Sequence, residues 1–191
     1  PDRLKGIAML NVDDVEEAAQ ELERCAKLGL VGAFIPVSPL ADRPYRHPVY
    51  DRFWWTAQDV GLPLLMHIGT PRGGIPGCEF TMNLGELTGA GRSTTDYWVR
   101  YSLSAMIFAG VFERYPTLRY SMAENGAWWV PDVIRKMDEK WVGGHNTRKF
   151  GDAFRQTLAM KPSEYLDRNC FFGVSTPGVD DIERRHLIGV G

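Results

Sequence analysis

The feature that most constrains this chain is an alternation. Short apolar runs at residues 4–10, 30–37, 62–67, 118–123 and 170–174 are separated by stretches with helical periodicity. After the first run, Asn11, Val12 and Asp13 form a capping region, with Glu16 three residues beyond Asp13 as in a capping box. Val15, Ala18, Ala19, Leu22 and Ala26 then fall on one stripe and Glu16, Glu17, Gln20, Glu21, Glu23 and Lys27 away from it, until Gly29 stops the pattern. Further helices are expected at about 48–60, 96–114, 128–141, 150–160 and 179–188. The order is βαβαβαβαβα, without a sequence repeat or a linker dividing it, which predicts an α/β fold built on a parallel sheet. The run through Leu64 and Met66 is short and unbroken, so a strand covered on both faces is expected there.

Such units make a doubly wound open sheet or a TIM-type barrel. Two observations favour the barrel. No glycine fingerprint for a dinucleotide follows the first strand, and polar residues stand at the ends of successive strands: Asn11, Ser38, His67, Glu124 and Ser175. Five strands do not close an eight-stranded barrel, whose usual length is roughly 250 residues. The 191 residues are therefore expected to be a single domain, the central part of a (β/α)8 barrel lacking its first and last strands. Its two open sheet edges predict aggregation when it is isolated.

Bulk properties exclude several functions. A net charge of -2, with no cluster of Lys and Arg interleaved with aromatics, argues against nucleic acid as a partner. No apolar run approaches the roughly 20 residues that span a bilayer, and the polar opening residues form no signal peptide, so no membrane partner and a cytoplasmic location are expected. Cys25, Cys78 and Cys170 are too scattered for a disulfide framework or a zinc knuckle.

The candidate chemistry sits at strand ends. His67 closes the third run, where an imidazole can be a metal ligand or an acid/base group, or equally a core histidine bonded to a carbonyl. Glu124 ends the fourth run beside Asn125; it can transfer protons near a metal, or instead pair with an arginine or cap a helix. The Gly- and Thr-rich segment at about 70–95 is long enough to be a functional lid, and its Arg72 and Arg92 could clamp a substrate carboxylate, although exposed loop arginines are commonly solvated. Trp54, Trp55, Trp98, Trp128, Trp129 and Trp141 fit core or oligomer-interface packing better than a ligand box, and a homodimer is expected. His47, His145 and His186 lie in loop or charged-helix contexts and are not favoured as ligands.

Three segments resemble the amidohydrolase-related superfamily, in the branch that includes aminocarboxymuconate semialdehyde decarboxylase and related aromatic acid decarboxylases and hydratases. They are Gly61-Leu62-Pro63-Leu64-Leu65-Met66-His67, the run from Val111 through Glu113, Arg114, Tyr115 and Pro116 to Tyr120, and Glu124-Asn125-Gly126-Ala127-Trp128-Trp129-Val130-Pro131 leading into Arg135-Lys136-Met137-Asp138. The resemblance implies a TIM barrel and a divalent metal, commonly zinc, with manganese the alternative. In that family the metal is held by an H-x-H pair on the first strand, a middle-strand His and a last-strand Asp. His67 matches the middle-strand His; the other ligands would lie on strands outside these residues. Glu124 stands where the family often has a His, so a carboxylate replaces a neutral imidazole as the proton-transfer group. Asn125, Arg72 and Arg92 are the substrate-binding candidates.

These readings converge on a metal-dependent hydrolase or decarboxylase acting on a small carboxylated or cyclic compound, the metal serving as Lewis acid or water activator. The rival is a catalytically silent α/β barrel scaffold or binding protein in which His67 and Glu124 are structural. A phosphate binder is disfavoured, because the Gly-rich segment lacks P-loop spacing and a lysine.

Overall fold

In a computed structural model, which describes residues 3–70, 72, 96–143, 148–173 and 177–187, five parallel strands form one sheet in the order β1-β2-β3-β4-β5. They are β1 (Ala8–Met9), β2 (Ala33–Ile35), β3 (Leu64–His67), β4 (Tyr120–Ala123) and β5 (Cys170–Phe172). Strand order follows sequence order and never reverses. A doubly wound sheet has a reversal point; a barrel wall has none, so the topology decides between the two architectures.

The register explains the burial. Ala33, Leu64, Tyr120 and Cys170 are aligned across the sheet, as are Ile35, Met66 and Met122 two residues on, and these rows are buried in the core. The intervening row, Met9, Phe34, Leu65, Ser121 and Phe171, faces the other way. Met9 is 73% exposed and Phe171 53%. The expectation that β3 is covered on both faces therefore fails: Leu64 and Met66 are buried, whereas Leu65 and His67 are only half-buried on the open face. Among the described residues the helices cover one side of the sheet, as the outside of a barrel requires.

The helix α1 (Val15–Lys27) packs against α2 (Asp51–Val60), which follows a 3-10 turn at Pro48–Tyr50 capped by His47, whose Nδ1 accepts from Val49 N at 3.1 Å. The single helix expected at 96–114 is broken into α3 (Tyr97–Phe108) and α4 (Val111–Arg114), because Gly110 adopts φ +69° between them. Next come α5 (Val130–Val142) and α6 (Arg148–Thr157). A helix that the periodicity did not reveal, α7 (Pro162–Asn169), begins with Pro162 in its first turn and the Glu164 carboxylate accepting from Lys161 N at 2.8 Å. Asp138 accepts from Ser163 N and Oγ, and Asn169 Nδ2 donates to the Pro116 and Leu118 carbonyls, which fastens α7 to α5 and to the entry of β4. The closing segment is shorter than expected: α8 (Val179–Glu183), then a 3-10 turn at Arg185–Leu187 carrying an exposed His186. No helix among the described residues is long and apolar enough to cross a membrane.

Trp54, Tyr45, Tyr50 and Phe53 make an aromatic knot behind β2, with ring centroids 5.2 to 5.6 Å apart. Each such buried ring contributes on the order of 2–3 kcal/mol of hydrophobic stabilisation. Trp54 and Trp129 are core residues as expected, while Trp55 and Trp128 are exposed.

Candidate active site

His67 is delivered by β3 to the carboxyl edge of the open face. The Phe34 ring on β2 stands edge-on to it, 5.7 Å away with an interplanar angle of 84°. Its main chain is pinned by Thr70, whose Oγ1 donates to the His67 carbonyl at 2.8 Å and accepts from Val37 N at 3.0 Å, so the ends of β2 and β3 are tied together. Gly69, at φ +81°, allows the chain to turn back for this contact.

Parallel pairing of His67 with Ala123 puts the next residue, Glu124, beside the imidazole, and Glu124 Oε2 lies 3.1 Å from His67 Nε2. Glu124 has φ +57°, which no other non-glycine residue among those described shares. A left-handed L-residue costs roughly 1–2 kcal/mol, and such strain persists where the surroundings over-determine it, often at functional positions. The turn is indeed held from several sides: Asn125 Nδ2 donates to the Ala123 carbonyl, Trp129 Nε1 donates to the Asn125 carbonyl, and Ala127 N donates to Asp181 Oδ1 at 2.7 Å.

The hydrogen bonding of His67 defines what can lie between the two side chains. Nδ1 is 2.6 Å from the Ile68 carbonyl, which can only accept, so Nδ1 carries a proton. If Nε2 were bare, its lone pair would face a carboxylate oxygen at 3.1 Å. The contact requires a proton shared between Nε2 and Oε2, or a metal ion. The Nδ1-to-carbonyl bond is the usual outer support of a metal-binding histidine. An imidazole nitrogen beside a carboxylate is a donor chemistry that suits a borderline divalent ion, which His67 Nε2 would hold. The pair supplies two donors, and no cluster of three or more His, Cys, Asp or Glu is present among the described residues.

A cavity of about 240 Å³ opens on the β1–β2 side of Phe34 and Thr70, the two residues that contact His67; it is walled by Phe34, Pro36 and Leu10, with Asn11, Thr70 and Arg72 as its polar edge, and neither His67 nor Glu124 lines it. Arg72 is not simply solvated. Its guanidinium makes a two-pronged ion pair with Asp13, Nε reaching Oδ1 at 3.1 Å and a terminal nitrogen contacting Oδ2, and its backbone N donates to the Ser38 carbonyl at 2.9 Å. Asp13 is free for this because the cap of α1 is Asp14, which accepts from Glu16 N and Glu17 N at 3.0 Å; the cap stands one residue later than the Asp13 expected.

Of the other candidates, Asn125 is buried, 6% exposed, with its Nδ2 engaged as above and its Oδ1 without a partner among the described residues. Arg92, Cys78, His145 and Ser175 lie outside the described residues. Among the described residues Glu124 neither pairs with an arginine nor caps a helix; its partner there is His67. Three groups near the site were not singled out from sequence. Asp13 is one. Arg100, ion-paired to Asp96 and lying over the Trp128 and Trp129 rings at 4.9 and 5.2 Å, is the second. Asp181 is the third, and its signal was its place three residues after Gly178 at a helix start.

The geometry has counterparts in known proteins. The sequence profile of the amidohydrolase family matches residues 1–170. Gamma-resorcylate decarboxylase of Polaromonas sp. (strain JS666 / ATCC BAA-500) is 31% identical over 155 residues, covering 74% of this chain and 45% of that protein. A crystal structure of dihydroxybenzoic acid decarboxylase from Polaromonas sp. JS666, with bound manganese and the inhibitor 2-nitroresorcinol, superposes with a TM-score of 0.69 at 25% identity, covering 98% of this chain and 56% of that one. 5-Carboxyvanillate decarboxylase LigW from Sphingomonas paucimobilis, at 23% identity, shares the fold with a TM-score of 0.72 over 98% of this chain and 53% of its own. The chain thus spans about half the length of the relatives it matches. It belongs to the amidohydrolase family, and its five parallel strands are a section of that family's TIM barrel.

Proposed function

We propose that this chain carries the centre of a metal-dependent decarboxylase that removes CO2 from a small aromatic carboxylate. The observation that carries the reading is the His67 Nε2–Glu124 Oε2 apposition at adjacent strand ends. The kinship with decarboxylases of dihydroxybenzoates supports the choice of carboxy-lyase over hydrolase. In this reading the 191 residues are the middle of one barrel domain, whose remaining strands complete the wall and the ligand set. Light scattering on the purified protein tests whether it is a homodimer, for which the exposed Trp55 and Trp128 offer apolar surface.

His67 Nε2 would hold the divalent ion, zinc or manganese, and Glu124 beside it would remain free to carry a proton. The ion would supply Lewis acidity toward oxygens of the substrate. Arg72, oriented by Asp13, binds the carboxylate or a ring hydroxyl through its free guanidinium edge, and Phe34 and Pro36 give the ring an apolar wall. Glu124, more than half exposed and entering the cycle as the carboxylic acid, delivers its proton to the ring carbon bearing the carboxylate. The electron pair of the carbon–carbon bond then returns to the ring as CO2 departs, and the carboxylate of Glu124 is reprotonated. Asn125, turned inward, keeps the Glu124 turn in place.

Metal-replete protein is assayed for CO2 release from 2,6-dihydroxybenzoate, beside Glu124→Gln. Turnover that falls at least a hundredfold in the variant supports the reading, given the usual worth of a positioned proton carrier of about 10²–10⁴. Absence of turnover with dihydroxybenzoates and related ring carboxylates favours the silent scaffold.

A further inference from the structure

A left-handed glutamate at a working position needs a reason to stay there, and His67 alone does not supply one. Glu124 makes a single ion-pair contact and is more than half exposed, too loose an anchor to offset about 1–2 kcal/mol of backbone strain. The constraint comes from behind the turn. Asp181 is buried, 6% exposed, and its two carboxylate oxygens are divided between two loops: Oδ1 accepts from Ala127 N at 2.7 Å, three residues after Glu124, and Oδ2 accepts from Gly178 N at 2.9 Å at the start of α8. One side chain therefore bridges the turn after β4 to the turn after β5, across 54 residues of sequence. Gly126, between Glu124 and Ala127, is also left-handed at φ +60°, a conformation that glycine takes without strain, so Glu124 is the one strained link between β4 and the bond to Asp181. A Cβ at Gly126 would come within 3.1 Å of the Trp128 ring, which closes the turn from the other side.

We propose that Asp181 is a positioning residue: by accepting from Ala127 N and Gly178 N together, it holds Glu124 in the left-handed conformation that sets its carboxylate against His67. The proposal rests on the reading of Glu124 as proton carrier. Charge-assisted bonds from a buried carboxylate to backbone N–H are strong and directional, which suits a residue that must fix a backbone torsion rather than touch a substrate.

The test uses the purified, metal-free protein and three variants, Asp181→Ala, Asp181→Asn and Glu124→Gln, with Ile182→Ala as a control on the exposed side of the same short helix. The first readout is the nitrogen NMR signature of the His67 imidazole at one fixed pH, which reports pairing with Glu124 without any need for turnover. Asp181→Ala is expected to move the His67 signals toward their positions in Glu124→Gln, and Ile182→Ala to leave them alone. Asp181→Asn, which keeps an acceptor for Ala127 N but can turn an amide toward Gly178 N, is expected to fall between, and it answers the question if the alanine variant does not fold. The second readout is kcat of the metal-loaded protein, expected to drop on the order of 10–100-fold in Asp181→Ala with KM little changed, as a displacement of about an ångström at a catalytic group does. His67 signals that stay at wild-type positions in a folded Asp181 variant, or that shift equally in Ile182→Ala, overturn the proposal. A wild-type protein without turnover refutes the decarboxylase reading alone, because the imidazole signals still show whether Asp181 places Glu124.

Discussion

The strain at Glu124 can be isolated by comparing Glu124→Gly with Glu124→Ala. Both remove the carboxylate and its contact with His67, so they differ only in whether a Cβ must occupy φ +57°. Left-handed backbone costs an alanine roughly 1–2 kcal/mol, while glycine gives back about 0.5–1 kcal/mol through its freer unfolded chain. The difference leaves Glu124→Gly more stable than Glu124→Ala by about 0.75 kcal/mol at the middle of these ranges, which for a domain of this size is a Tm separation of about 1.5–3 °C. Urea unfolding of the two variants, with equal m-values, measures it directly. Glu124→Ala as stable as Glu124→Gly, or more so, would refute the strained turn, and with it the argument that the surrounding hydrogen bonds exist to maintain it. Both variants are expected to lose decarboxylation, so the glycine substitution trades function for stability.

Arg72→Ala is expected to raise KM for an aromatic carboxylate about tenfold or more while changing kcat less, because a hydrogen bond to a charged group contributes about 1.5–3 kcal/mol; an unchanged KM would remove Arg72 from the binding site. Met66→Ala, in a fully buried side chain touched by the Tyr120 hydroxyl, should cost about 2–5 kcal/mol in urea unfolding. A loss well under 1 kcal/mol would mean that β3 is not packed as described. Burial pushes the Tyr45 and Tyr120 phenols well up from 10 and that of Tyr50 to about 12. Each is held neutral in the folded state, so this stability is complete below pH 10 and drains away as pH rises toward 12. Tyrosinate absorbance for these three should therefore appear together with unfolding, and free ionisation of all tyrosines near pH 10 in folded protein would contradict it.

The parts of the site legible in the sequence were those fixed by local pattern. The apolar run into His67 and the run into Glu124 each announce a strand end, and parallel pairing then places the two residues side by side without any long-range information. The open face was misread because an unbroken apolar run looks the same whether its second face meets helices or the interior of a barrel. What escaped was set by contacts distant in sequence. Asp13 and Arg72 are 59 residues apart, and only the fold shows that Asp14 takes the helix cap and releases Asp13. Asp181 meets Ala127 across 54 residues, and its only local sign was a position near a helix start. The break at Gly110 and the helix α7 were in principle readable, the first from a glycine before an apolar turn and the second from Pro162 followed by Glu164.

The most direct test of the central claim is metal content by elemental analysis of the protein expressed with added metal and purified without chelators, beside His67→Ala handled identically. Near-stoichiometric zinc or manganese in the wild type that falls away in the variant is the predicted result, and it makes His67 Nε2 a ligand. Equal metal in both, or none in either, contradicts the account and leaves His67 and Glu124 as a hydrogen-bonded pair of structural importance only.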